Sequence, residues 1–241
     1  YLCSFKNRYR ILQYISFLTA ACFSIIFNSM LISKIRIIFL FIFFILIVLK
    51  SSVFARDYIT IGILKYRGGD WYSCINAVRN FIKEAKKIAP VLISEEPVAV
   101  DPSSSDLFKY PFIIINGHGE ILLNSYEKMM LKKYLLNGGF LFANDDYGMD
   151  RHFRSLVKEL FPDNELTEIP FSHGIFKSFF NLNYIPKIHK HDNKKAQAFA
   201  IYDKKRMIVI YMYETDILDG WEKEEVHNDP EIKRMAAIKF G

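Results

Sequence analysis

The chain has 241 residues, of which 51% are hydrophobic and 24% are charged, a composition typical of a globular protein with one or two domains. Its 32 lysine and arginine residues outnumber its 26 acidic residues, giving a net charge of +6. Residues 1–55 contain six of the cations and no acidic residue, so residues 56–241 carry no net charge. Because the positive excess belongs to the N-terminus, we expect no nucleic-acid partner.

An apolar segment, residues 37–49, follows Lys34 and Arg36 and precedes small residues that end at Ala55. Its length suits the apolar region of a signal peptide and is shorter than the roughly 20 residues of a membrane-spanning helix. We therefore interpret residues 30–55 as a signal peptide, or as an N-terminal membrane anchor if it is not cleaved. The domain is then expected to be periplasmic or secreted, with membrane contact only through this segment.

Residues 1–29 are interpreted as translated upstream sequence, and the alternative is that residues 11–27 form an additional hydrophobic membrane segment. Residues 56–241 are predicted to form a single α/β domain whose last helix, residues 232–240, is unfinished. Of the three cysteines, only Cys74 lies in this domain. An intramolecular disulfide and a four-cysteine zinc site are therefore excluded there.

Apolar runs and helical patterns alternate three times in the predicted domain. The runs 59–64, 112–115 and 140–143 predict buried strands, and amphipathic helices follow near Asp70, Asn124 and Asp150. This order predicts a parallel sheet with helices on both faces, a three-layer flavodoxin-like architecture. Residues 198–202 and 207–213 flank a charged turn and predict a C-terminal antiparallel hairpin at the sheet edge.

Each predicted strand ends in a polar loop, and ligands of open parallel sheets bind beyond the carboxyl ends of the strands. The candidate cleft residues are drawn from these loops and the segments beside them: Arg67, Gly69, Asp70, Trp71, Gly117, His118, Gly119, Glu120, Asn144, Asp145, Asp146, Arg154 and His173. The alternative is that these are ordinary solvated turns.

The candidate catalytic residues are His118, Asp145 and Asp146, because a histidine beside a carboxylate can act as a general base for hydrolysis. Only one of the two aspartates is expected to face the cleft. A divalent metal is the only cofactor considered, with His118, Asp145 and His173 as candidate ligands. Alternatively, a carboxylate merely orients His118.

Two other segments have competing interpretations. Cys74 lies in the first turn of a predicted helix, where the helix dipole lowers a thiol pKa, but a small apolar residue facing the sheet fits equally well. The sequence His189-Lys190-His191-Asp192 shows no apolar periodicity and is interpreted as a solvated loop.

Several motifs together resemble the bacterial domain-of-unknown-function family 4159. They are residues 68–72, 110–112, 117–120, 135–143 and 145–146, followed by 153–154 and 161–162. The resemblance implies a fold like that of the class I glutamine amidotransferases and an exported or membrane-attached protein. It does not imply amidotransferase activity, because no cysteine follows a predicted strand.

The sequence therefore favours a non-catalytic domain of the cell envelope that binds a small ligand or an envelope protein. The alternative is a hydrolase without a cysteine nucleophile that uses His118 with Asp145 or Asp146, with or without a metal.

Overall fold

The computed structural model describes residues 58–241; the signal-peptide, anchor and upstream predictions lie outside these residues. These residues contain the strands β1 (Ile61–Leu64), β2 (Arg67–Gly69), β3 (Val98–Val100), β4 (Phe112–Gly117), β5 (Gly119–Leu122), β6 (Phe140–Asp145), β7 (Thr167–Glu168), β8 (Gln197–Asp203) and β9 (Arg206–Tyr213). They also contain the helices α1 (Ile75–Ile88), α2 (Ser125–Leu136), α3 (Asp150–Leu160), α4 (Glu224–His227) and α5 (Glu231–Phe240). Within the described range, no helix is both long and apolar enough to cross a membrane.

Seven strands form one sheet in the order β3-β1-β4-β6-β9-β8-β7. The first five are parallel, and β8 and β7 add antiparallel to β9 and β8. The structure thus confirms the α/β class and the mostly parallel sheet. The strands β8 and β9 pair through a turn at Lys204, but they do not form the edge, because β7 pairs with the outer side of β8.

The strands β1, β4 and β6 bury both of their faces, as uninterrupted apolar runs predict. Along β4, Ile113 and Ile115 pack in one apolar cluster and Ile114 packs in the other, because successive side chains point to opposite faces. The first cluster contains buried residues of α2 and α3, and the second contains buried residues of α1 and α5. Helices therefore cover both faces of the sheet.

The structure differs from the prediction mainly in short strands that lack an apolar run. β3 lies in a segment for which no strand was predicted, and β2 and β5 lie in segments interpreted as loops. β2 and β5 form a separate antiparallel ribbon near the carboxyl edge of the sheet. This ribbon places Asp70, directly after β2, beside His118, directly before β5.

Candidate functional site

Three neighbouring parallel strands deliver buried polar side chains to one edge of the sheet. β4 contributes Asn116, β6 contributes Asn144, and the loop after β9 contributes Asp216. The Asn144 Nδ2 group donates to Asn116 Oδ1 at 2.6 Å and to Asp216 Oδ1 at 3.3 Å, and Asn144 Oδ1 accepts from the Ile217 N–H at 2.9 Å. One amide therefore connects the three strand ends.

A cavity of about 660 Å³ opens at this edge. Its lining includes four histidines and four acidic residues, which are His118, His189, His191, His227, Asp146, Asp216, Asp219 and Glu222. The other lining residues are Ser73, Asn76, Tyr147 and Val226. The described lining has no lysine or arginine. Such a cavity suits a cation or a neutral polar ligand better than an anion.

Asp146, rather than Asp145, lines the cavity. Asp146 is 6% exposed and accepts a hydrogen bond from Asn116 Nδ2 at 3.2 Å. Asp145 Oδ1 instead accepts from the Met149 N–H at 2.9 Å and supports the start of α3. Burial raises the pKa of both carboxyl groups, and burial followed by the nearby charge of Asp216 raises the pKa of Asp146 to about 8.

His118 is held by Asp70. Its backbone N–H donates to Asp70 Oδ1 at 2.6 Å, and its Nδ1 lies 3.0 Å from Asp70 Oδ2 and 3.6 Å from Asp146 Oδ2. Burial opposes ionisation of Asp70, but the hydrogen bonds with His118 outweigh it and lower the pKa of Asp70. Nε2 of His118 has no hydrogen-bond partner among the described residues, so a water or ligand in the cavity can approach it.

Glycines permit this close approach of β2 to the end of β4. A Cβ at Gly69 would collide with the carbonyl oxygen of His118 and the ring of Tyr66. Gly117 has a φ of +137°, and its Cβ would lie 2.7 Å from Asp70 Oδ1. Gly69 and Gly117, predicted as cleft residues, thus allow the backbone packing that brings Asp70 to His118.

A second histidine cluster lies on loops that are distant in sequence. His189 Nδ1 is 2.9 Å from Asp216 Oδ2 and 3.3 Å from Asp219 Oδ2. His191 Nε2 is 3.5 Å from Asp216 Oδ2, and His227 Nε2 is 3.4 Å from Asp219 Oδ2. These distances bring five side chains from three separate segments into one constellation.

Crowding of these groups changes their proton affinities. The hydrogen bond to Asp216 raises the pKa of His189 to about 9, although burial opposes this shift. Burial, then the charges of Asp216 and Asp146, raises the pKa of Asp219 to about 8. Burial also opposes ionisation of Asp216, but hydrogen bonds from His189 and His191 outweigh it and lower its pKa.

Three overlapping groups place their nitrogen or oxygen atoms within 4.8 Å of one another, as ligands of one metal ion would be: His189 with His191 and Asp216, His189 with Asp219 and His227, and Asp146 with Asp216 and Asp219. Of the three candidate metal ligands predicted from the sequence, none belongs to these groups. His118 lines the same cavity, whereas Asp145 contacts Met149 and His173 lies elsewhere.

Two arginines predicted for the cleft lie outside the cavity lining. Arg67 donates two hydrogen bonds of 2.9 Å to the carboxylate of Glu127 on α2. Arg154 donates to Asp150 Oδ1 at 2.7 Å, and its guanidinium lies 4.7 Å from the centre of the Phe199 ring. Both cations are engaged by neighbours in the fold.

Other predicted residues also lie away from the cavity. His173 accepts a hydrogen bond from the Ile175 N–H at 3.2 Å and begins a short 3₁₀ turn. Trp71 packs against both apolar clusters, and Glu120 is exposed on β5. Gly119, with a φ of +77°, turns the chain into β5.

Cys74 is 3% exposed, and burial raises its thiol pKa, so the reactive-thiol interpretation is not supported.

The interpretation of residues 189–192 as a solvated loop is wrong for the two histidines. The side chain of His191 is only 6% exposed and that of His189 is 32% exposed. The available signal was the His-Lys-His spacing, which places two imidazoles close together. The partners of these histidines, Asp216 and Asp219, are about 25 to 30 positions away in sequence. Only the folded chain therefore brings the four side chains together.

Comparison with known proteins gives a family but no characterised relative. No curated protein matches the chain. Residues 60–241 match the model of the family described as a domain of unknown function, DUF4159. The match covers the Asp70–His118 pair, the cluster around His189 and all the strands of the sheet. The chain therefore belongs to this family.

Proposed function

We propose that this domain is a hydrolase that activates a water molecule in the cavity at the carboxyl edge of the sheet. The observation that carries the proposal is the Asp70–His118 pair facing the cavity, with buried Asp146 3.6 Å from the same imidazole. Asp70 orients His118 and stabilises its protonated form, which is the function of the carboxylate partner of a general base.

The reaction balances with these groups alone. His118 Nε2 accepts a proton from water while the water oxygen forms a bond to an acyl carbon. The bond from that carbon to its alkoxide or amine leaving group breaks, and protonated Asp146 supplies the proton that the leaving group needs. The raised pKa of Asp146 suits this carboxyl group to the role of the acid.

Water is the proposed nucleophile because neither Cys74 nor Ser73, the two candidate nucleophiles near the cavity, is activated. Cys74 is buried with a raised thiol pKa. Ser73 lines the cavity, but its Oγ accepts a hydrogen bond from Asn116 Nδ2 at 3.2 Å, and none of the described residues provides it with a hydrogen-bonded base.

The charge of the cavity indicates the substrate class. No lysine or arginine lines it within the described range, so it lacks the fixed cations that hold the phosphate group of a phosphoester. We therefore propose neutral or cationic acyl esters and amides as substrates.

The test is hydrolysis of p-nitrophenyl acetate, p-nitrophenyl phosphate and aminoacyl p-nitroanilides by the full chain. His118→Ala is expected to lower kcat/KM for the acyl substrates by roughly 10²- to 10⁴-fold, the usual contribution of a general base. His152→Ala, on α3 away from the cavity lining, is the matched control and should retain full activity. Equal turnover by wild type and His118→Ala, or no turnover at all, would contradict the hydrolase and favour a domain that only binds its ligand.

The proposal also includes the fold that this domain resembles and the compartment in which it acts. Helices on both faces of a parallel sheet and a cavity at its carboxyl edge support a flavodoxin-like or class I glutamine amidotransferase-like fold. The sequence of residues 30–55 supports export, with the domain acting in the cell envelope on a small ligand or beside an envelope protein. Cleavage after Ala55, read by N-terminal sequencing of the exported protein, is the expected result.

A further inference from the structure

The second histidine cluster contains the ligand set of a catalytic metal. His189 and His191 belong to the loop before β8, and Asp216 belongs to the loop after β9. We propose that His189 Nδ1, His191 Nε2 and Asp216 bind a zinc ion, with a water molecule at the fourth position. Two imidazoles, one carboxylate and an open position form a common arrangement for catalytic zinc.

The separations between the candidate ligand atoms fit one ion. Ligand atoms about 2.1 Å from a tetrahedral zinc ion lie about 3.4 Å from one another. The two histidine nitrogens lie 2.9 and 3.5 Å from Asp216 Oδ2, and all three ligand atoms lie within 4.8 Å of one another. Small side-chain adjustments are therefore sufficient for binding.

A buried carboxylate oxygen gives an independent indication of the site. Asp229 Oδ1 accepts from Lys233 Nζ at 2.9 Å, while Oδ2 is buried without a hydrogen-bond partner among the described residues. This oxygen lies 3.3 Å from His189 Nε2. Zinc binding at Nδ1 releases the proton of that nitrogen, and the proton on Nε2 can be donated to Asp229, which is the usual partner arrangement of a metal-bound histidine.

His191 provides a further indication. Its side chain is 6% exposed, and its Nδ1 is buried without a hydrogen-bond partner in the described part of the chain. The ring of Tyr147 lies 5.2 Å from the His191 ring and covers it on one side. Buried polar atoms without a partner are rare in native structures, and a bound water or ion commonly satisfies them.

Burial is graded across the proposed ligands, which gives the site an open side. Asp216 is 2% exposed and His191 is 6% exposed, whereas His189 is 32% exposed and lines the cavity. His118 and Asp146 line the same cavity and are not among the three ligands. The catalytic role of the zinc rests on the proposed function, since zinc would activate the attacking water and His118 would accept the proton of that water. Zinc binding itself does not depend on the proposed function.

The test is a zinc titration of the metal-free full chain in detergent by calorimetry, with Co²⁺ absorption as a spectroscopic probe of tetrahedral ligation. One ion per chain is expected. His191→Gln and Asp216→Asn should each weaken zinc binding by more than roughly 100-fold, and Asp229→Asn, which alters the partner of His189 and the ion pair with Lys233, by about 10- to 100-fold. Circular dichroism establishes whether each variant folds. If the ligand variants do not fold, the loss of zinc affinity in Asp229→Asn decides whether the site is correct.

His173→Ala and His152→Ala are the controls, because neither residue lines the cavity, and both should bind zinc as the wild type does. A loss for His227→Ala as large as that for His191→Gln would overturn the assignment and move the ion to His189, Asp219 and His227. No zinc binding by the wild type, or equal binding by His191→Gln, would also overturn it.

Hydrolysis assays separate this inference from the proposed function. Zinc binding without turnover of any substrate would leave the metal site standing and remove the hydrolase. Turnover that persists unchanged after a chelator has removed the metal would leave the hydrolase standing and remove zinc from its mechanism. Turnover lost with the metal and restored by Zn²⁺ is the expected outcome.

Discussion

Two clusters of charged side chains in this domain differ in how completely their hydrogen bonds are satisfied. At the first, the Glu127 carboxylate accepts two hydrogen bonds from Arg67, and its Oε2 also accepts from the Asn124 N–H at 2.6 Å. At the second, Asp229 Oδ2 and His191 Nδ1 are buried without hydrogen-bond partners among the described residues, beside several further carboxylates. A satisfied network stabilises a fold, whereas an unsatisfied one indicates a place where something else binds.

The comparison also explains why the two clusters respond differently to a ligand. The Arg67–Glu127 pair belongs to the N-terminal capping box of α2 and joins this helix to β2. Both carboxylate oxygens of Glu127 are engaged there. The histidine cluster has three imidazoles and two carboxyl groups whose nitrogen and oxygen atoms can bind one metal ion, and it faces a cavity.

The largest expected effect on stability is at Asn144, which connects β4 and β6 to the loop after β9. Asn144→Ala leaves the buried Ile217 N–H and Asn116 Oδ1 without their partner, and is expected to lower the free energy of unfolding by about 2 to 4 kcal/mol. Urea unfolding followed by circular dichroism measures this loss. A change below about 0.5 kcal/mol would show that the three loops do not depend on this amide.

A smaller effect is expected at Glu127. Glu127→Gln is expected to lower the free energy of unfolding by about 1 kcal/mol at neutral pH, because it weakens a capping box and a charged hydrogen bond while leaving the cavity unchanged. Hydrogen bonding to Arg67 lowers the pKa of Glu127 below its ordinary value, although burial opposes this shift.

The sign of the pH dependence follows from this lowered pKa. The stabilisation by Glu127 is fully present above the glutamate pKa of the unfolded chain and is lost as the pH falls through the lower pKa of the folded state. The difference between wild type and Glu127→Gln should therefore shrink in acid. A difference that grows as the pH falls would contradict the account of the Arg67–Glu127 pair.

The smallest expected effect is at Cys74. Cys74→Ala removes a buried thiol whose raised pKa prevents nucleophilic attack, so hydrolysis should remain within about twofold of the wild type while stability falls by about 1 kcal/mol. Steady-state kinetics beside thermal unfolding measure both quantities. Abolished turnover in a folded Cys74→Ala variant would restore the nucleophile interpretation.

Local sequence patterns were sufficient for the three central parallel strands. The apolar runs identified β1, β4 and β6, and the helix predicted near Asn124 is α2, which begins with a capping box of Asn124 and Glu127. The edge strand β7 and the ribbon of β2 with β5 have no apolar run, because they gain stability from pairing rather than burial. Pairing of this kind depends on distant segments.

The same distinction applies to the candidate site. His118 and Asp146 follow strands directly, so the rule that parallel strands end at one edge places them correctly near a cleft. That rule also drew in Arg67, which the β2–β5 ribbon directs to Glu127 instead. His189 and Asp216 lie on loops without periodic patterning, and their proximity depends on the β8–β9 pair lying beside β6.

The most direct test of the difference between the Arg67–Glu127 pair and the histidine cluster is thermal unfolding of the full chain with and without Zn²⁺. Zinc at 100 times its Kd is expected to stabilise the wild type by about 2.7 kcal/mol, and a folded His191→Gln variant should show no such shift. Glu127→Gln should start from a lower melting temperature and show the same zinc-induced shift as the wild type. No zinc-induced shift in the wild type, or an equal shift in His191→Gln, would contradict the conclusion that the unsatisfied histidine cluster is the binding site of this domain.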